Sequence, residues 1–340
     1  MSGGHRSGVG AITVTSLLWG TTGTAATFAP GAGPLAIGAA ALGIGGILQA
    51  VIAVPALRSA RPALRANLPL VLLGAAAVAV YPLAFYSAMH LAGVAVGSVV
   101  SLASAPLASG VLERLVDRHP LSRWWMLAAS LGTAGSTLLC LSTAHGAASS
   151  SPAGAALPGI ALGLVAGTTY ATYSWVAHRL MARGIGRAAS MGAVFGAGGT
   201  LLLPVLAVTG APLVASTGPF LVAAYMALVP MFAGYLLFGY GLARVSASTA
   251  TTVTLSEPAM AAVLAVVVVS ERLTPTGWTG LAVIALVLVV LSFAPTNAGP
   301  GGRGSPEEAD RDRPGSPPSD PEESLSVRGP VGSDAGTERP

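Results

Sequence analysis

Ten apolar runs succeed one another, near residues 9–29, 34–57, 67–89, 92–113, 122–143, 157–180, 188–209, 217–242, 247–270 and 275–294. As helix, at 1.5 Å per residue, each is long enough to cross a hydrocarbon core of roughly 30 Å. Composition agrees where it discriminates. Charged residues make up 9% of the chain and hydrophobic ones 53%, whereas a soluble domain carries about a quarter charged. The predicted fold class is an all-α polytopic membrane protein. Arg6 ahead of the first run imitates a signal peptide, but the run outlasts an h-region and nine more follow, so it reads as a span.

The charges sit where topology needs them. Arg58, Arg61 and Arg65 follow the second run, Arg114, Arg118 and Arg123 the fourth, Arg179, Arg183 and Arg187 the sixth, and Arg244 the eighth. The alternate loops near Gly31, His90, Ser149 and Ala215 have no Arg or Lys, and the ninth-to-tenth loop has only Arg272. The positive-inside rule then predicts both termini in the cytoplasm and residence in the cytoplasmic (inner) membrane. Net charge is +4, and because the Arg residues are spent on topology it is no sign of nucleic acid. Cys140, alone, excludes an internal disulfide and a cysteine-based metal site. No metal or other cofactor is expected.

Two halves resemble each other. Setting Tyr86–Ser122 over Phe238–Thr274 without gaps aligns Ser104 with Ser256 and Pro106 with Pro258, along with five apolar identities. GTTGTAATF at 20–28 lies over GTTYATYSW at 167–175. Five spans per half is an odd number, so the second half enters the membrane inverted, an architecture common among secondary transporters. The predicted organisation is a first five-helix repeat over 9–143, a polar linker over 144–156, a second repeat over 157–294 and a disordered cytoplasmic tail over 295–340. The tail is Pro, Gly, Ser, Asp, Glu and Arg, too polar to bury a core.

Within this apolar frame the run from Ser246 to Leu273 carries one carboxylate near its midpoint, Glu257, followed by Pro258. A carboxylate at that depth costs on the order of 2.5–3.5 kcal/mol on insertion scales. Pro258 has no N–H for the Thr254 carbonyl, so the helix is expected to break there. Such features are tolerated facing protein or a water-filled cavity. The surrounding hydroxyls, Thr254 and Ser256 among them, are uncharged. They leave two readings of Glu257 open: a proton-exchanging or substrate-binding group, or a carboxyl hydrogen-bonded to its neighbours.

At these residues the chain resembles the EamA family of the drug/metabolite transporter (DMT) superfamily. Trp19-Gly20, Pro106, Ser256-Glu257-Pro258 and Glu271-Arg272-Leu273-Thr274 carry the resemblance, which covers about 10–294. It implies two inverted five-helix domains around a central cavity and the movement of small metabolites, commonly outward. One departure stands out. Where the repeat would place a Glu-Arg element in the first half there is His119-Pro120, and Ala105 stands opposite Glu257. Glu113-Arg114 comes six residues too early to inherit that role. Glu257 is thus read as the one acid well inside the bilayer.

The candidate substrate and coupling residues are Glu257, Trp19, Thr22, Tyr170, Tyr173, Thr254 and Tyr235, with Pro106 and Pro258 as helix breaks. Tyr170 and Tyr173 share a helix face in mid-span. Trp124, Trp125 and Trp278 near span ends read as interfacial anchors. Gly43–Gly46 and Gly196–Gly199 read as close helix contacts, not phosphate loops. No P-loop, paired intramembrane Asp or Asp-rich prenyl-transfer motif is present. The function expected is alternating-access transport of amino-acid-like or drug-like metabolites, outward, with protons as coupling partner and the bilayer as surroundings. The rivals are a membrane-embedded enzyme, which lacks its catalytic groups, and a scaffold or receptor acting through its tail. Oligomeric state is left open.

Overall fold

The computed structural model describes residues 3–29, 31–118, 120–144, 156–268 and 274–293. The linker across 145–155, His119, the Glu271-Arg272 pair and the tail from residue 295 lie outside them.

The described chain folds as helices throughout. The first half comprises α1 (Gly3–Gly20), α2 (Thr22–Thr27), α3 (Pro34–Ile52), α4 (Val54–Ser59), α5 (Arg61–Ala66), α6 (Leu68–Ala92), α7 (Val94–Leu115) and α8 (Arg123–Ala144). The second comprises α9 (Ala156–Ala182), α10 (Arg187–Thr209), α11 (Ala211–Val214), α12 (Thr217–Met226), α13 (Gly234–Leu242), α14 (Ala247–Val253), α15 (Glu257–Val268) and α16 (Pro275–Phe293). Among the described residues, five helices have the length and sustained apolarity to cross a membrane: Pro34–Ile52, Leu68–Ala92, Val96–Leu115, Arg187–Thr209 and Thr217–Leu242.

Besides the turn at Ala53 that ends α3 inside the second run, three of the ten apolar runs are interrupted among the described residues. The first bends at Thr21, between α1 and α2. In the eighth, a π-helix at Ala227–Ala233 containing Pro230 joins α12 to α13. In the ninth, a 3-10 turn at Thr254–Ser256 joins α14 to α15. That turn begins at Thr254, whose carbonyl Pro258 cannot serve, and Pro258 itself lies in the first turn of α15, where an absent N–H is no loss. The proline aligned with it in the sequence behaves differently: α7 runs unbroken through Pro106.

Packing is close because small residues line the contacts. α6 lies against α9, α3 against α10, α8 against α16, α7 against α9, and α1 against α13. Where α3 meets α10, a Cβ on Gly199 would stand 2.6 Å from the carbonyl oxygen of Gly43, so only glycine fits there. Gly93, at φ 86°, turns the chain directly from α6 into α7. Several hydroxyls inside the bundle are satisfied locally. Ser16 donates to the Ile12 carbonyl, Ser101 to that of Gly97 and Thr252 to that of Ser248. These hydroxyls are thereby paired within their own helices.

Candidate functional site

The three interruptions converge on one cavity. Its walls include Trp19 and Thr22 from either side of the first break, Met231 from the π-helix and Glu257 from the end of the 3-10 turn. Tyr235 of α13, Ala41 and Leu42 of α3, and Tyr81, Pro82, Phe85 and Tyr86 of α6 complete it. Every one of these residues is buried. The space is small, about 20 Å³, room for about one water.

Trp19 holds two of the breaks together. Its Nε1–H donates to the Pro230 carbonyl over 2.9 Å, a group inside the irregular π segment. Its ring packs 4.8 Å from that of Tyr235 and 5.4 Å from that of Phe238. The Thr22 hydroxyl returns to the Trp19 carbonyl at 2.7 Å. At Gly20, a Cβ would come within 3.1 Å of the Glu257 carbonyl oxygen. The absence of a side chain therefore lets α1 sit against the start of α15.

Glu257 is 9% exposed. The neighbouring hydroxyls expected as its partners are turned elsewhere. Thr251 donates to the Ala247 and Ser248 carbonyls, Thr254 to that of Thr251, and Ser256 to that of Val253. Among the described residues no side chain donates a hydrogen bond to the Glu257 carboxyl, and no Arg or His lines the cavity. A lone carboxyl edged by aromatic rings can take a proton or an organic cation, the rings adding cation–π attraction. Among the described residues, no three His, Cys, Asp or Glu side chains gather as a metal would need.

The sequence candidates thus divide. Glu257, Trp19, Thr22 and Tyr235 meet at the cavity wall. Tyr170, Tyr173 and Thr254 form a layer behind it: Tyr170 and Thr254 share a hydrogen bond of 2.8 Å, and the Tyr173 and Tyr235 hydroxyls one of 2.7 Å. Tyr86 and Met231 reach the cavity without having been singled out by sequence. Tyr86 lies one residue past Phe85 in an apolar run, and nothing in the run's pattern marks it.

Two acids outside the cavity carry ties that the sequence did not signal. Glu113, near the end of α7, is buried; Oε1 accepts from the Ser248 backbone N–H at 2.8 Å and Oε2 from the Ser248 hydroxyl at 2.6 Å. Asp117 forms an ion pair with Arg179 of α9 and accepts from Trp175 Nε1–H at 2.6 Å. Arg179 in turn lies 5.0 Å over the Trp175 ring. At the opposite end, beside the Thr21 break, the Thr21 and Tyr225 hydroxyls bond at 2.8 Å. They do so within an open groove of about 400 Å³ between α2 and α12.

Comparison with known proteins places the chain. The model of the EamA-like transporter family matches residues 157–293. An uncharacterized transporter of Bacillus subtilis (strain 168), YwfM, is 35% identical over 286 residues, spanning 84% of this chain and 93% of the relative. A crystal structure of a protein 19% identical to this chain aligns with a TM-score of 0.66, covering 82% of this chain and 94% of the other. That last likeness bears on fold alone.

Proposed function

This chain belongs to the EamA-like transporter family and is a multi-pass membrane transporter, and from that premise we propose what it moves and how. It exports small amine-bearing metabolites, amino-acid-like or drug-like, across the cytoplasmic membrane by alternating access, in exchange for protons. The observation that carries this reading is Glu257: a buried acid that no described side chain pairs, at the wall of an aromatic cavity where three helix interruptions meet. A carboxylate that can hold either an ammonium group or a proton, one at a time, is the minimal device for exchange. The lack of fixed positive charge at the cavity argues against a highly anionic cargo.

The ten-span, inverted-repeat architecture belongs to the same proposal. What supports it is the symmetry of packing. Exchanging the halves turns the α6–α9 contact into that of α13 with α1, and the α7–α9 contact into that of α14 and α15 with α1; α3–α10 and α8–α16 map onto themselves. A pseudo-two-fold axis relating the halves produces this pattern. Both termini are assigned to the cytoplasm from the Arg-bearing turns.

The test is transport by inside-out membrane vesicles holding the protein, against a panel of amines, amino acids and anionic metabolites, with and without an imposed pH gradient. Gradient-driven uptake of one or more amines is the expected result. Uptake confined to anions, or none across the panel with protein present, would overturn the reading.

A further inference from the structure

The two ends of the bundle are closed by ties of unequal strength, and we infer from them which end opens first. This rests on the alternating-access reading above and adds to it the identity of the gates. At the Arg-bearing end, acids of the first half grip helices of the second. Glu113 of α7 receives both the N–H and the hydroxyl of Ser248 in the first turn of α14, and Asp117 receives Arg179 and the Trp175 indole of α9. Arg118, at φ 57°, turns the chain just after Asp117. All four contacts are charge-assisted, and such bonds are roughly twice as strong as neutral ones. Two further ties reinforce that end: Arg183 to the Asn67 side-chain carbonyl, and His178 Nδ1 with the Leu242 carbonyl at 2.9 Å.

At the other end a neutral hydroxyl pair, Thr21 with Tyr225 at 2.8 Å, ties the first break to α12, and among the described residues no carboxylate or guanidinium lines the groove around it. Thr21 borders the open groove and its neighbour Thr22 the closed cavity, so a single turn of chain separates the two spaces. Opening there breaks a neutral hydrogen bond at an existing helix break. Opening at the Arg-bearing end strips two carboxylates of their partners, one of them buried. Thr21–Tyr225 is therefore the thin gate, and Glu113–Ser248 with Asp117–Arg179–Trp175 the thick gate. The unliganded protein opens its cavity toward the α2–α12 groove.

The experiment needs no substrate, so its failure and the failure of the transport proposal are distinguishable. Cys140 is replaced by Ser, Thr22→Cys is introduced, and a membrane-impermeant maleimide is applied to right-side-out and inside-out vesicles. Labelling at position 22 is expected only from the face opposite the Arg-bearing turns. Tyr225→Phe should speed it about two- to tenfold, the weight of one neutral hydrogen bond. Asp117→Asn, altering a side chain already partly exposed, should permit labelling from the Arg-bearing face, and Glu113→Gln should do so more strongly if it folds. Labelling of the parent from the Arg-bearing face would overturn the inference. So would an Asp117→Asn variant labelled from the same face and at the same rate as the parent.

Discussion

Replacing Glu257 by Gln separates a working carboxylate from a structural one, because the two readings predict opposite signs. Gln keeps the shape and removes the ionisable group. It forfeits no hydrogen bond from the described side chains, since the hydroxyls of Thr251, Thr254 and Ser256 already donate to backbone carbonyls. It also relieves part of the cost of an acid at membrane depth, about 2.5–3.5 kcal/mol on insertion scales. Glu257→Gln should thus be at least as stable as the parent, by up to about 3 kcal/mol. In a chain of this size that amounts to a rise of up to roughly 5 °C in melting temperature in detergent. Gradient-driven transport in proteoliposomes, normalised to protein, should nevertheless fall at least about tenfold, the equivalent of 1.4 kcal/mol. The residual rate should no longer vary with pH. Parental transport at every pH would refute the functional role. A melting temperature lowered by several degrees together with lost transport would show that the carboxyl holds the helix break in shape and does no more.

Trp19→Phe keeps an aromatic ring, though a smaller one, and deletes the donor to the Pro230 carbonyl, leaving a buried acceptor unpaired. A stability loss of about 1–3 kcal/mol is expected, read as a lower melting temperature in detergent, and an unchanged one would refute the tie between the two breaks. For topology, Arg65→Cys and Ser216→Cys, both at exposed positions, are placed singly in a Cys140→Ser background. Impermeant maleimide should reach position 65 only from the cytoplasm and position 216 only from outside, and the reverse would invert the assigned orientation.

Much of this was legible in the sequence. Each described helix of at least 18 residues coincides with an expected apolar run, and the glycine runs of α3 and α10 do meet. Glu257-Pro258 announced the break, and Glu257 does lie on the cavity wall. The misplaced cavity residues share a cause. A helix apolar all round has no polar face to show which side meets the cavity, so Tyr86 was passed over, and Tyr170 and Tyr173 fell one layer behind the wall. The π-helix around Pro230 had a local signal in that proline, which has no N–H for the Met226 carbonyl, but its tie to the Trp19 indole is visible only in the fold. Glu113 was dismissed because its Glu-Arg pair lies off the register of the repeat, yet its partner is Ser248 in the other half, a pairing that only the fold reveals. Pro106 and Pro258 look alike in sequence, and α7 nonetheless stays helical through Pro106.

A cavity of about 20 Å³ sets a condition on any transport cycle, because sites for drug-sized ligands measure about 300–1,000 Å³. No metabolite enters the space as it stands, so the binding proposed there requires movement of the wall. The wall is mostly fixed by packing: Tyr81, Phe85 and Tyr235 lie in a continuous aromatic cluster with Tyr170, Tyr173 and Phe195. Rotating any one of these rings displaces its neighbours, which dense interiors resist. What the backbone offers instead is three ready-made breaks, at Thr21, at Ala227–Ala233 and at Thr254–Ser256, each placing a residue in the wall. Their carbonyls are already released from regular helix pairing, so bending there sacrifices few hydrogen bonds. Movement about these hinges would carry Trp19, Met231 and Glu257 apart together and enlarge the cavity around the acid. On the proposed transport cycle, that requirement accounts for three helix breaks on one cavity despite the cost of each in an apolar medium.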